Sequence, residues 1–126
     1  MVTSPTSSRG VGKEDAECEQ VAGPVYDLEI VKACCDAGDV LYSGKAESHY
    51  EALGFTFETA NACVGSLTEY RKSISYRKEQ PFDDYVAWRY CPKPDGTKRL
   101  YVKFRVTSSD VNEVYVTSFH ISNGAT

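Results

Sequence analysis

No stretch of this 126-residue chain approaches the ~20 consecutive apolar residues of a membrane-spanning helix. The first twenty residues also lack the apolar centre of a secretory signal, so the expected location is cytoplasmic, with no membrane partner. There are five cysteines, Cys18, Cys34, Cys35, Cys63 and Cys91, but no C-x-x-C pair among them, which removes the usual spacing of a zinc site. The adjacent Cys34 and Cys35 do not easily bridge each other. Thiols in an intracellular chain are expected to stay reduced and to pack as small apolar side chains. Histidine is scarce, at two residues, and forms no H-x-x-x-H motif. No metal or other cofactor is expected. Also missing are a glycine-rich phosphate loop, a nucleophile elbow and a DNA-reading helix-turn-helix.

What the chain has is ordinary material for one domain: 41% hydrophobic, 25% charged and 12% aromatic residues. At this length folding buries roughly two-thirds of the surface the unfolded chain exposes, enough for a core without staples. The formal net charge is -4, but it is unevenly spread. Residues 1–67 hold four basic against eleven acidic side chains, and residues 68–126 hold ten basic against seven acidic. A basic face in the second half can therefore coexist with an acidic whole, although two solvated faces of opposite sign explain the same numbers.

Residues 1–23 are rich in Ser, Thr, Gly and Glu and short of large apolar side chains, so they are expected to form a flexible tail ahead of one domain over 24–126. Leu28, Val31, Cys34 and Cys35 then recur at helical spacing, between a candidate N-cap at Asp27 and a stop at Gly38. Val40 to Ser43 reads as a short edge strand and Lys45 to Leu53 as a second helix. Thr56 can cap a third, whose Phe57, Ala60, Val64 and Leu67 form one stripe. From Ser73 the period changes to two. Strands are expected at Ser73 to Arg77 and Tyr85 to Cys91, and Pro92-Lys93-Pro94-Asp95-Gly96 signals a turn. Arg99 to Thr107 alternates strictly, with Leu100, Val102, Phe104 and Val106 on one face and Arg99, Tyr101, Lys103 and Arg105 on the other. In the last strand alternation groups Val114, Val116, Ser118 and His120 against Tyr115, Thr117, Phe119 and Ile121. The expected fold class is α+β, with N-terminal helices packed on a C-terminal antiparallel β-sheet of about four strands.

Two features could carry chemistry. His120 stands at the end of the last strand, and an imidazole, with its ordinary pKa of ~6.5, suits proton transfer near neutrality; a polar rim residue would look the same. His49, inside a helix beside Tyr50 and Glu51, has no partner pattern and reads as structural. The second feature is the set of cations Arg71, Lys72, Arg77, Lys78, Arg89, Arg99, Lys103 and Arg105, interleaved with tyrosines. Cations that neutralise phosphates beside rings that stack on bases make a surface for single-stranded RNA, and they equally describe the polar side of a half-buried sheet.

The order of short blocks along residues 25–121 resembles the motility quorum-sensing regulator (MqsR) toxins, mRNA endoribonucleases of RelE-like fold. The blocks are Val31-Lys32, Asp36-Ala37-Gly38-Asp39-Val40, Ala52-Leu53-Gly54-Phe55 and Leu67 leading to Tyr70-Arg71-Lys72-Ser73. They continue through Asp83 or Asp84, Tyr90-Cys91-Pro92, Leu100-Tyr101-Val102-Lys103-Phe104 and Val116-Thr117-Ser118-Phe119-His120. The resemblance implies that the family's active-site lysine falls on Lys72 and its penultimate-strand tyrosine on Tyr101. Where the family closes on a basic residue this chain has His120. A functional glutamine of the family falls near Ala87, leaving Arg89 as a substitute. The implied activity is metal-independent cleavage of mRNA, on or off the ribosome, by attack of the RNA's own 2'-hydroxyl, held in check by a cognate antitoxin protein. In that scheme Lys72 and Arg89 stabilise the transition-state charge, Tyr101 orients the phosphate or a proton, and His120 is the acid or base. Arg71, Arg77, Arg99, Lys103 and Arg105 would hold the RNA. A non-catalytic RNA- or protein-binding module, or an adaptor of accidental resemblance, would share the same composition.

Overall fold

The structure, a computed structural model, describes residues 18–108 and 110–122. Strand β1 (Cys18–Val21) precedes helix α1 (Leu28–Ala37), strand β2 (Val40–Tyr42), and helices α2 (Gly44–Ala52) and α3 (Phe57–Val64). Four longer strands follow: β3 (Glu69–Tyr76), β4 (Phe82–Cys91), β5 (Gly96–Ser108) and β6 (Asn112–Ile121). Together the strands make one six-stranded sheet in the order β1-β3-β4-β5-β6-β2, antiparallel except for β2, which runs parallel to β6.

This corrects the expected arrangement of N-terminal helices on a four-stranded antiparallel sheet. The sheet is mixed and larger, because two short strands from the helical half join its edges. The strand at Val40–Tyr42 is the edge strand expected at Val40 to Ser43; β1 has no such signal, since an edge strand is held by ladder hydrogen bonds rather than by its own burial. β1 also redraws the expected tail: Cys18–Val21 pairs with Ser73–Tyr76, while residues 1–17 of that call lie outside the described residues.

The helices start and stop for local reasons. The Asp27 carboxylate caps α1 by accepting from the Glu29 amide, and Gly38 ends it in the left-handed conformation, φ 79°, that glycine adopts without a Cβ clash. Ser43 caps α2, and Thr56 with Thr59 closes a reciprocal capping box on α3. The core lies between these helices and one face of the sheet, where Leu100, Val102, Phe104 and Val106 meet Val31, Ala60 and Val64. Cys34, Cys35, Cys63 and Cys91 are buried and unbridged, and burial pushes the thiols of Cys35 and Cys63 up to about 12 and about 11. Such thiols stay protonated and pack as apolar groups.

Two irregularities decide which side chains face away from the helices. In β6, Ser118 pairs with Lys103 and Val116 with Phe104, so Thr117 is an extra residue with no partner across the ladder. One inserted residue shifts the alternation by one. The expected grouping of Val114 and Val116 with Ser118 and His120 is therefore wrong: Phe119 joins Val114 and Val116 in the core, and Ser118 and His120 turn to the open face. A similar shift in β3 leaves Arg71 without a ladder partner between Tyr70 and Lys72. The β6 bulge makes a measurable claim. Phe119→Leu should cost about 1–2 kcal/mol in urea unfolding and Ser118→Ala less than about 0.5. An uninterrupted strand reverses that ranking.

Candidate functional site

The open face of the sheet is the candidate site. Alternation puts Lys72 of β3, Asp84 and Val86 of β4, Tyr101 and Lys103 of β5, and Ser118 and His120 of β6 on it, in register from strand to strand. Lys72 stands across the ladder from Asp84, and Lys103 flanks Asp84 on the other side. The Tyr101 hydroxyl donates to Asp84 Oδ2 at 2.6 Å, and the Tyr101 ring lies 5.2 Å from the His120 ring between centroids. Lys72 and Asp84 thus share one cross-strand row with Lys103 and Ser118, Tyr101 and His120 share the next row with Val86, and the Tyr101–Asp84 hydrogen bond joins the two rows on one face.

Asp84 is fully buried, and its Oδ1 has no partner among the described residues. Burial raises its pKa above the ordinary carboxyl range, against the opposing effects of the Tyr101 hydrogen bond and of the Lys103 and Lys72 charges. Burial and this same carboxyl also raise the pKa of Tyr101 far above the ordinary phenol. Tyr101 consequently acts as a neutral hydroxyl and never as a phenolate base. Because its proton is committed to Asp84, its oxygen offers a lone pair to whatever lies on the face.

His120 Nδ1 lies 3.0 Å from the Ile121 carbonyl oxygen. A carbonyl only accepts, so this contact holds the proton on Nδ1 and leaves Nε2 with a free lone pair. On its far side the His120 ring meets His49, edge to face at 5.9 Å. The route by which His49 arrives is topological. β2 ends beside Val116, the Ser43 amide donates to the Val116 carbonyl at 2.9 Å, and α2 continues along the second half of β6, where Tyr50 packs on Phe119.

The remaining cations divide. Lys103 Nζ donates to the Tyr76 hydroxyl at 2.8 Å and lies over the Tyr76 and Phe82 rings. The Arg105 guanidinium sits between the Phe82 and Tyr115 rings, 5.1 and 5.3 Å from their centroids. Arg99 shares this face at its other end, across from the exposed Trp88. Arg71 is exposed at the β3 bulge, and its charge is felt by Tyr101. Arg77 lies just beyond β3 in the turn to β4, with a positive φ of 54°. Arg89 is different. It follows Ala87 on the helix-facing side of β4 and donates to the Ser66 carbonyl and hydroxyl at 3.0 and 2.9 Å. The sheet separates it from Tyr101, so it does not join Lys72, Asp84, Tyr101 and His120.

Two members of the site escaped the sequence reading. Asp84 was visible only as one of two adjacent aspartates, and alternation in β4 was the signal that could have chosen between them. His49 had no local signal, since its neighbour is 71 residues away along the chain. Among the described residues no group of three or more His, Cys, Asp or Glu side chains is placed to hold a metal ion, and no helix is long and apolar enough to cross a membrane. No protein-family model and no curated protein matches the chain.

Proposed function

We propose that the chain is an endoribonuclease that cleaves mRNA by attack of a 2'-hydroxyl on the adjacent phosphate, the toxin of a toxin–antitoxin pair whose protein partner restrains it. The observation that carries this reading is that Lys72, the Asp84–Tyr101 hydrogen bond and His120 occupy neighbouring rows of one open, cationic and aromatic face. The RNA brings its own nucleophile, so the protein has to supply charge and a path for protons. Lys72 supports the phosphorane-like negative charge. Tyr101, held by Asp84, orients the attacking hydroxyl through its free lone pair, and His120 accepts the proton. Arg99, Lys103 and Arg105 extend the cationic surface along β5 and Arg71 adds to it from β3, while the exposed Trp88 offers a ring on which an unpaired base can stack. The order of blocks shared with the motility quorum-sensing regulator toxins points to the same chemistry and to the same kind of antitoxin partner.

The test is a digest of single-stranded RNA with end analysis. Cleavage should leave 2',3'-cyclic phosphate and 5'-hydroxyl ends and persist in chelator. Lys72→Ala should lose about 10- to 100-fold in rate. Arg89→Ala, on the other side of the sheet, should stay within about threefold of wild type. Strong loss in Arg89→Ala with an unaffected Lys72→Ala puts the chemistry on the other face and overturns the assignment.

A further inference from the structure

The chain has two histidines, and the fold brings both to one place. His120 comes from the end of β6 and His49 from α2, their rings perpendicular with centroids 5.9 Å apart. His49 is half-buried, and its Nδ1 is buried without a hydrogen-bond partner among the described residues. A polar nitrogen left in that state costs stability, of the kind a fold tolerates where the group has another task. Nothing in the packing of α2 calls for imidazole here, since its buried contacts come from Ala46 and Tyr50.

We infer that His49 and His120 are the two proton-transfer groups of the transesterification proposed above, with His120 as base and His49 as acid; this inference rests on that reading. An in-line displacement puts the attacking and leaving oxygens on opposite sides of the phosphorus, so one phosphate needs a proton acceptor on one flank and a donor on the other. Rings that meet edge to face with centroids 5.9 Å apart leave no room for a phosphate between them, so the pair serves the two apical oxygens from one side, each over a hydrogen bond of about 2.6–3.2 Å. The contact from Nδ1 to the Ile121 carbonyl fixes the roles. It keeps the His120 proton on Nδ1 and leaves Nε2 to take the proton of the 2'-hydroxyl. The O2'–P bond forms as the P–O5' bond breaks, and the imidazolium of His49 gives its proton to the departing 5'-oxygen. One proton has then moved from His49 to His120, and exchange with water resets the pair. Among the described residues, the titratable groups facing the two rings are each other, Tyr101 from β5 and, one hydrogen bond further, Asp84 from β4. On α2 itself Lys45 lies one turn before His49 on the same face.

A leaving group that needs no proton separates the acid from every other role. The probe is an RNA oligonucleotide with one cleavable linkage, made once with the natural 5'-oxygen and once with a 5'-bridging sulfur, which departs as thiolate unaided. On the oxygen substrate His49→Ala and His49→Gln should each lose about thirtyfold, and the fall of the wild-type rate at alkaline pH should disappear. On the sulfur substrate both variants should come within about threefold of wild type, while His120→Ala stays slow. Equal losses on both substrates in both variants, the result of a merely structural role or of misfolding, overturn the assignment, as does a wild-type rate in His49→Ala on the oxygen substrate. If the wild-type protein cuts neither substrate, the endoribonuclease reading itself falls. Wild-type cleavage with an indifferent His49 sinks this inference alone.

Discussion

Asp83→Ala is expected to destabilise the protein by about 3–5 kcal/mol, while the neighbouring Asp84→Asn should leave stability at neutral pH within about 1 kcal/mol of wild type. The contrast comes from alternation in β4, which sends the two carboxylates to opposite faces. Asp83 turns to the helix side, where it is fully buried and accepts from the Val25 and Tyr26 amides at 2.9 and 3.0 Å and from the Ser73 hydroxyl. It ties the segment after β1 to the edge formed by β3. Removing it strands the buried Ser73 hydroxyl and two part-buried amides, at about 1–3 kcal/mol each less what water recovers. Asp84 works the other way. Its raised pKa means that the folded protein holds this proton to higher pH than the unfolded chain does. Its contribution to stability is therefore complete below the ordinary carboxyl value of ~3.9 and is lost as pH rises through the folded value. Asparagine removes that slope and keeps an acceptor for Tyr101, so Asp84→Asn should unfold with a flatter pH profile while its RNA cleavage falls. Urea melts from about pH 4 to about pH 8 decide the matter. Equal destabilisation by both substitutions contradicts the assignment of the two faces.

The parts of the fold visible in the sequence were those that write a period into it. The strict alternation of Leu100, Val102, Phe104 and Val106 matches a buried face, and the first and third helices start at Asp27 and Thr56, the capping side chains that the sequence displays. Pairing carried by the backbone was not visible. β1 has two exposed and two half-buried residues, so no side-chain pattern marks it, and its hydrogen bonds to β3 depend on an edge that exists only after the sheet has formed. The β6 bulge was hidden for a related reason. Val114 to His120 alternates plausibly on either face, and only the pairing of Phe104 with Val116 and Lys103 with Ser118 reveals the extra Thr117. That single residue brings His120 to the ring of Tyr101. For the site, the resemblance to the motility quorum-sensing regulator toxins pointed to Lys72 and Tyr101, and residue type with a strand-end position pointed to His120. They could not tell that Arg89, one position out of phase with the open face, hydrogen-bonds on the helix side.

His120→Ala should lose more than about 100-fold in RNA cleavage, and His120→Lys should recover little of it. Both statements depend on what the Ile121 carbonyl does to the ring. With the Nδ1 proton held there, the neutral imidazole presents a lone pair at Nε2, which a base must have. A lysine at this position restores positive charge beside Tyr101, but its ordinary pKa of ~10.4 keeps it protonated at neutral pH and unable to accept a proton. The competing role is electrostatic, as a cation beside the phosphate, and it forecasts the opposite. His120→Lys would then equal or exceed the wild type, and activity would fall as pH rises and an imidazolium loses its charge. A base gives the reverse slope, since activity climbs as the ring loses its proton. Cleavage rates of wild type, His120→Ala and His120→Lys from about pH 5.5 to about pH 8.5, with Lys72→Ala as the charge control, separate the two roles. The base role requires a rising acidic limb in the wild type that is absent from His120→Ala. Tyr101 cannot replace it, because burial and the Asp84 carboxyl hold the phenol protonated well beyond this range.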